Sequence, residues 1–228
     1  MHRWILGTAA AASGAVRAAL GLPPRWRRSI RLLAAALAVV ALLLATRVWY
    51  ITLGGNFHTV VPGDVYRAGQ PSAARLRALA RSHHVRTVIN LRGDNNDGWY
   101  YEEHATAREV GMRVVDVGLW AKQPPPDDQF RLLVETLAEA EPAVLVHCNS
   151  GGDRSGLAAA LAILLRTDGT LDEARRQLSL YYGHNCFGQA ACHDRVLDRY
   201  KAWLADKGWQ HRPERLRLWA RTVYTAQE

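Results

Sequence analysis

The chain has 228 residues, with 29 Lys and Arg against 21 Asp and Glu, a formal net charge of +8. Its 49% apolar content excludes wholesale disorder, and three cysteines are too few for a disulfide-framework miniprotein. The basic excess is local: residues 1–53 hold seven arginines and no acidic residue, whereas from Gly54 onward 22 basic residues face 21 acidic ones. A nucleic-acid-binding body is therefore excluded, and the charge belongs to the amino-terminal segment.

Six arginines (Arg3, Arg17, Arg25, Arg27, Arg28, Arg31) precede an uncharged run from Leu32 to Thr46. Extended to Leu53, the apolar stretch makes a helix of about 33 Å, enough to cross a bilayer core. Arg47 falls in its last third, where its stem can carry the guanidinium to the interface, and Trp26, Trp49 and Tyr50 suit interfacial belts. We expect an uncleaved single-span anchor over 32–53. The basic flank over 1–31 sits in the cytoplasm by the positive-inside rule. In a bacterium the body is then periplasmic, held to the inner membrane. A cleaved signal peptide is opposed by the residues ahead of the run and by the lack of an A-x-A site. A buried core helix is opposed by the RWRRSIR flank. Residues 4–22, mildly apolar, fit an interfacial helix or a start placed too far upstream.

After the turn at Gly54–Asn56, Asp64–Arg67 reads as a short strand, and Ser72 caps a helix to about Ser82. Val85–Leu91 is a strand ended by GDNNDG, and Trp99–Val110 a helix closed by Gly111. Arg113–Leu119 is a strand, and Pro124–Pro126 lead into a helix from Asp127 to about Ala140. Ala143–His147 is wholly apolar up to its histidine, which predicts a central strand buried on both faces. Leu157–Leu165 is an apolar helix. Thr170 and Glu173 form a capping box for a helix over Ala174–Tyr182, and another runs from about Ala190 to Ala205. Residues 208–228 resemble a short basic amphipathic helix or tail, with no role apparent. The alternation implies an α/β domain with a mainly parallel sheet flanked by helices, over 54–207.

The chemistry lies in Val144–Gly156, VLVHCNSGGDRSG. A strand feeding a helix through a glycine-bearing loop aims several backbone N–H groups into one concavity at the positive end of the helix dipole. Such a nest suits a tetrahedral dianion, and a cysteine at its floor has its thiolate stabilised by the same donors. Cys148 is thus a candidate nucleophile toward phosphorus. Arg154 is a fork for two phosphoryl oxygens, Asn149, Ser150, Gly151 and Gly152 form the cradle, and Ser155 is a donor to the departing sulfur. A buried cysteine after a strand is more often inert core; the glycines and the arginine six residues on weigh against that here.

These residues resemble the H-C-x5-R-[S/T] signature of the cysteine-based protein tyrosine and dual-specificity phosphatases. PGDVYRAGQPS, VRTVINLRGD and LSLYYGH are similar to segments of its bacterial membrane-anchored branch, so the likeness runs over about residues 56–200. It implies hydrolysis of phosphomonoesters through phosphocysteine, without metal or other cofactor. Cys148 is then the nucleophile, Arg154 the phosphate clamp, and His147 and Ser155 its tuning neighbours. Implied substrates are a phosphorylated protein or a phospholipid. A pseudophosphatase that binds phosphorylated partners without turnover is the rival from outside the enzymes.

The sequence departs from the family at the general acid. The usual loop aspartate has no counterpart in LWAKQPPP. Asp116 falls inside a strand and reads as a hydrogen-bond acceptor, and Asp127 and Asp128 as the start of a helix. Asp153, in the loop itself, resembles the in-loop acid of G-x-D-R lipid phosphatases and is the first choice. Arg92 either assists substrate binding or pairs with Asp94. His184, Cys186, Cys192 and His193 offer metal-ligating types at a spacing that matches no zinc module. A Cys186–Cys192 disulfide is the alternative in an oxidising compartment. Trp99–Tyr101 beside Glu102 and Glu103 read as a helix start packed on the core.

Overall fold

A computed structural model of the chain describes residues 24–226. The interfacial helix expected over 4–22 lies outside the described residues. The described residues divide into two units between Val48 and Trp49. Helix α1 covers Pro24–Thr52. Its Arg28–Thr52 stretch is long and apolar enough to cross a membrane, and the side chains of Leu32, Leu37 and Leu42–Leu44 are exposed, so it is not a core helix.

The second unit is built on a five-stranded sheet of order β1-β2-β5-β3-β4. The strands are β1 (His58–Val61), β2 (Val65–Ala68), β3 (Thr87–Asn90), β4 (Arg113–Asp116) and β5 (Val144–His147). Strand β1 is antiparallel to β2; all other pairings are parallel. The expected strand at Asp64–Arg67 is β2, shifted by one residue. Strand β1 has no counterpart in the sequence reading, because His58–Val61 is half-exposed and too short for its alternation to stand out. The helices are α2 (Ala73–Ser82), α3 (Gly98–Glu109), α4 (Asp127–Glu139), α5 (Asp153–Arg166), α6 (Leu171–Arg175), α7 (Cys192–Asp206) and α8 (Pro213–Thr222).

Strand β5 occupies the centre and is buried throughout, as its apolar run predicts. Its side chains alternate between two cores. Val144 and Val146 join Ile89, Phe130, Leu157, Leu161 and Trp219 on one face, while Leu145 joins Val88, Leu76, Leu79 and Ala107 on the other. Local signals set several boundaries. The Ser72 hydroxyl accepts from the Arg75 N–H, Gly111 follows α3 with φ +74°, and the Thr170–Glu173 capping box is formed.

Two expected elements differ. The helix expected over Ala174–Tyr182 stops at Arg175, and only a 3-10 turn, Leu180–Tyr182, follows. The chain there leaves the helix so that Gln177 meets Arg67 from β2. The carboxy-terminal helix α8 has a definite role. Leu216, Trp219 and Ala220 are buried in the main core, and Tyr224 stacks on Phe130 at 4.0 Å while its hydroxyl donates to Pro125 O. Glu135 of α4 is gripped by Arg217 and Arg221.

Candidate active site

The parallel strands place their carboxyl ends along one edge of the sheet, where α/β folds bind ligands. From that edge come Gly69 and Gln70 after β2, Leu91 and Arg92 after β3, Leu119 beyond β4, and the loop His147–Arg154 after β5. Cys148 is buried at the floor of the loop, and the Gly151 N–H donates to its Sγ at 3.3 Å.

The outer side of the loop is held carbonyl by carbonyl. Asn149 O accepts from Gln70 N at 3.0 Å, Ser150 O from Asn56 Nδ2 at 3.0 Å, and Gly151 O and Gly152 O from Arg67 Nη2 at 2.7 and 2.9 Å. In a trans peptide the carbonyl of one residue and the N–H of the next point opposite ways. Four outward carbonyls therefore turn the N–H groups of Ser150, Gly151, Gly152 and Asp153 inward, toward the cysteine. The glycines make this approach possible. At Gly151 φ is +75°, and a Cβ there would lie 2.6 Å from Ala68 C; at Gly152 it would lie 2.6 Å from Gly183 O.

Arg67 is the keystone that the sequence reading lacked. It is fully buried, and besides the loop carbonyls it donates to Gln177 O and Oε1 and lies over the Tyr182 ring at 4.3 Å. Asn56, also buried, ties the loop to Tyr182 O. Only the resemblance over PGDVYRAGQPS pointed toward this region, because Arg67 and Gly151 are 84 residues apart.

Arg154 is half-buried and steadied on one nitrogen, Nη1 donating to Leu91 O at 3.4 Å and Leu119 O at 3.3 Å. Among the described residues no acceptor engages its Nε and Nη2 edge. Ser155 is buried, but its hydroxyl donates to Ala68 O at 3.2 Å instead of the sulfur expected for it. His147 Nε2 meets Glu103 Oε1 at 3.1 Å in a fully buried pair. Glu103 Oε2 accepts from Gln70 Nε2 at 2.6 Å, and Gln70 Oε1 accepts from Arg92 Nη1 at 2.8 Å. Glu103 is therefore part of the loop's support rather than only a helix-start residue. Nothing local in the sequence separates it from Glu102, its neighbour on the same helix.

Asp153 is drawn to a different partner. Its Oδ1 accepts from Asn185 N at 3.2 Å and meets His184 Nδ1 at 2.7 Å, and His184 Nε2 meets Asp194 Oδ2 at 2.7 Å. Burial opposes the Asp153 carboxylate, but the His184 hydrogen bond and the Asn185 N–H outweigh it and hold the carboxyl below its usual range. Burial likewise opposes the His184 imidazolium, and the two carboxylates outweigh it, raising that histidine above its ordinary value. His184 thus serves two carboxylates. Among the described residues no group of ligands suited to a metal ion is assembled. Cys186 and Cys192 are both free thiols, Cys186 exposed and Cys192 buried beside His193, so the disulfide alternative is not formed.

The remaining candidate acids are occupied. Asp116 accepts from Asn90 Nδ2 at 2.7 Å and Tyr100 OH at 2.9 Å, Asp128 accepts from Gln129, and Asp127 accepts from the Ala226 N–H. Arg92 does not pair with Asp94; its guanidinium lies over Trp99 at 3.5 Å.

A family model described as the DSP-PTPase phosphatase fused to NAD+ kinase matches residues 56–182, more than half of the chain. The chain belongs to this family. It is a cysteine-dependent phosphatase of the tyrosine and dual-specificity type. Solved structures share the fold of this phosphatase. The core catalytic domain of the PP-IP phosphatase SIW14 from S. cerevisiae, in complex with citrate, aligns with a TM-score of 0.51 at 18% identity, covering 68% of this chain and 93% of that one. P. aeruginosa TpbA aligns with a TM-score of 0.50 at 23% identity, covering 67% and 92%. Its complex with pTyr aligns with a TM-score of 0.50 at 22% identity, with the same coverage. Comparison with curated proteins finds no match.

Proposed function

We propose that the phosphatase hydrolyses phosphomonoesters by transfer to Cys148 and then to water. The carrying observation is the loop whose carbonyls are all held outward, which supports an inward ring of N–H donors above a buried Sγ. In this reading Cys148 Sγ attacks phosphorus as the P–O ester bond breaks, and the leaving oxygen takes a proton from solvent water. Ser150, Gly151 and Gly152 donate through their N–H groups, and the free edge of Arg154 binds the equatorial oxygens as charge builds on them. Asn149 lends its carbonyl to Gln70. His147, fixed by Glu103, and Ser155, fixed by Ala68, position the floor and first turn. Water then attacks the phosphocysteine, releasing phosphate and the thiolate.

Asp153 enters this scheme as a loop anchor. The His184 hydrogen bond and the Asn185 N–H, which hold this carboxyl below its usual range against burial, favour the ionised anchor over a proton donor. Leaving-group dependence separates the two roles. An anchor variant, Asp153→Asn, lowers kcat for good and poor leaving groups alike, whereas loss of an acid selectively slows the poor ones. Turnover of an aryl phosphate and a phosphorylated intermediate on Cys148, both absent in Cys148→Ser, test the mechanism; undiminished turnover in that variant sinks it.

Phosphoprotein is the first substrate reading, in keeping with the tyrosine and dual-specificity family and with the pTyr complex of TpbA. A phospholipid or phosphoinositide head group is the second, favoured by the apolar helix Arg28–Thr52 in the same chain. We place that helix in the inner membrane with the catalytic unit in the periplasm. A carboxy-terminal reporter active only in the cytoplasm, and found active, would overturn this orientation.

A further inference from the structure

The guanidinium of Arg92 is fixed in place but left largely unspent. One nitrogen, Nη1, donates to Gln70 Oε1 at 2.8 Å, and the plane lies over Trp99 at 3.5 Å. Among the described residues no carboxylate lies within ion-pair distance of Arg92 or Arg154, and no other acceptor takes the remaining N–H groups of Arg92. The nearby acid, Glu103, is already shared between His147 and Gln70.

Its placement ties it to the phosphate loop twice. Leu91, its chain neighbour, gives the carbonyl on which Arg154 Nη1 rests. Gln70, which holds the Arg92 guanidinium, also holds the loop through its N–H to Asn149 O. Burial lowers the basicity of Arg92 and the Arg154 charge lowers it further, against the pull of Asp97, Glu103 and Cys148. Two guanidiniums beside one anion loop repel each other, and an anion bound between them relieves that repulsion. The stacked, preorganised fork of Arg92 suits a phosphate oxygen pair, at little further ordering cost.

We propose that Arg92 forms a second phosphate subsite beside the loop, so that the preferred substrate carries another phosphate near the phosphomonoester being cleaved. The proposal rests on the phosphocysteine reading above and narrows it to bisphosphorylated compounds. The same chemistry is presented by a lipid head group and by a free polyol phosphate. An inositol bisphosphate in solution and the same head group on a phosphatidyl lipid in vesicles form two arms of the test.

For the full chain, kcat/KM is compared between an aryl phosphate and both bisphosphates, in wild type, Arg92→Gln and Arg92→Lys. Wild type favours at least one bisphosphate. Arg92→Gln lowers kcat/KM for it about 30-fold, mostly through KM, the weight of a charge-assisted contact, and lowers it for the aryl phosphate only about threefold. Arg92→Lys recovers part of the loss. A preference confined to vesicles assigns the lipid source, and one shared by both arms assigns the head group itself. Equal losses on all substrates reduce Arg92 to a support for Trp99 and overturn the subsite. Binding to the Cys148→Ser protein, followed by calorimetry, tests the subsite without turnover. The bisphosphate binds more tightly than the monophosphate, and adding Arg92→Gln removes that margin. If no margin exists, the subsite is wrong even where phosphocysteine chemistry stands; if the margin exists and no Cys148-dependent turnover does, the reverse holds.

Discussion

The two sides of the loop Cys148–Arg154 are built on opposite plans. On the outer side Arg67 is buried and spends its guanidinium on Gln177, Gly151 and Gly152, and each carbonyl from Asn149 to Gly152 has a donor. On the inner side, among the described residues, Arg154 donates to two carbonyls only, through one nitrogen, at 3.3 and 3.4 Å. One arginine commits both its terminal nitrogens to Gln177 and the loop, and the other, in the proposed mechanism, keeps an edge for the phosphoryl group. A cradle of N–H groups needs both, since the donors on the outer side hold the peptides from turning over when the cradle is empty.

The contrast is broken most sharply at Arg154. Arg154→Ala is expected to lower kcat/KM about a thousandfold, roughly 4 kcal/mol of transition-state stabilisation. Unfolding free energy moves by less than about 1 kcal/mol, as expected where few native contacts are lost. Arg67→Met reverses the pattern. It strips donors from buried oxygens and costs about 3 kcal/mol of stability in urea unfolding, with activity lost in proportion to the loop's disorder. A stable Arg67→Met with normal kinetics would show that the loop holds its shape unaided. Gly151→Ala lies between the two. The left-handed backbone and the 2.6 Å approach to Ala68 cost about 2 kcal/mol, seen as a lower melting temperature together with a raised KM.

The inner plan was largely legible in the sequence and the outer one was not. A buried apolar strand, a glycine-bearing loop and an apolar helix are contiguous, so VLVHCNSGGDRSG declares the cysteine, the cradle and the arginine in thirteen residues. The capping signals of Ser72, Gly111 and Thr170 are equally local. Arg67, Asn56, Gln70 and Glu103 reach the loop from a strand, two connecting segments and a helix distant in sequence, and a charged residue in a four-residue strand carries no mark of its destination. Asp153 shows the same limit: its partner His184 lies 31 residues on, beyond any local signal. The basic excess of the sequence concerns the apolar helix and its flank, and the proposed site draws on two local arginines instead.

The smallest expected effect concerns that last partnership. His184, raised above its ordinary value by Asp153 and Asp194, contributes stability fully present below the unfolded histidine value of 6.5 and lost as pH rises through its folded value. Asp153, held low, contributes stability present above the ordinary carboxylate range and lost as pH falls through its folded value. The acid limb is shared with Glu109, Glu135 and Glu173, whose carboxyls are also held low, so it does not report on this pair. The alkaline side is cleaner. His193 and His211 are lowered by burial and contribute in the opposite sense, gaining stability toward 6.5 and then levelling. Cys192, pushed up to about 11 by burial, acts only once the unfolded thiol ionises near its ordinary value of 9.0. Between those two ordinary values the melting temperature of wild type is expected to fall gently as His184 discharges, and the slope should vanish in His184→Gln. A wild-type profile flat across that window would mean that His184 is neutral beside Asp153, and that the loop is anchored by a hydrogen bond without charge.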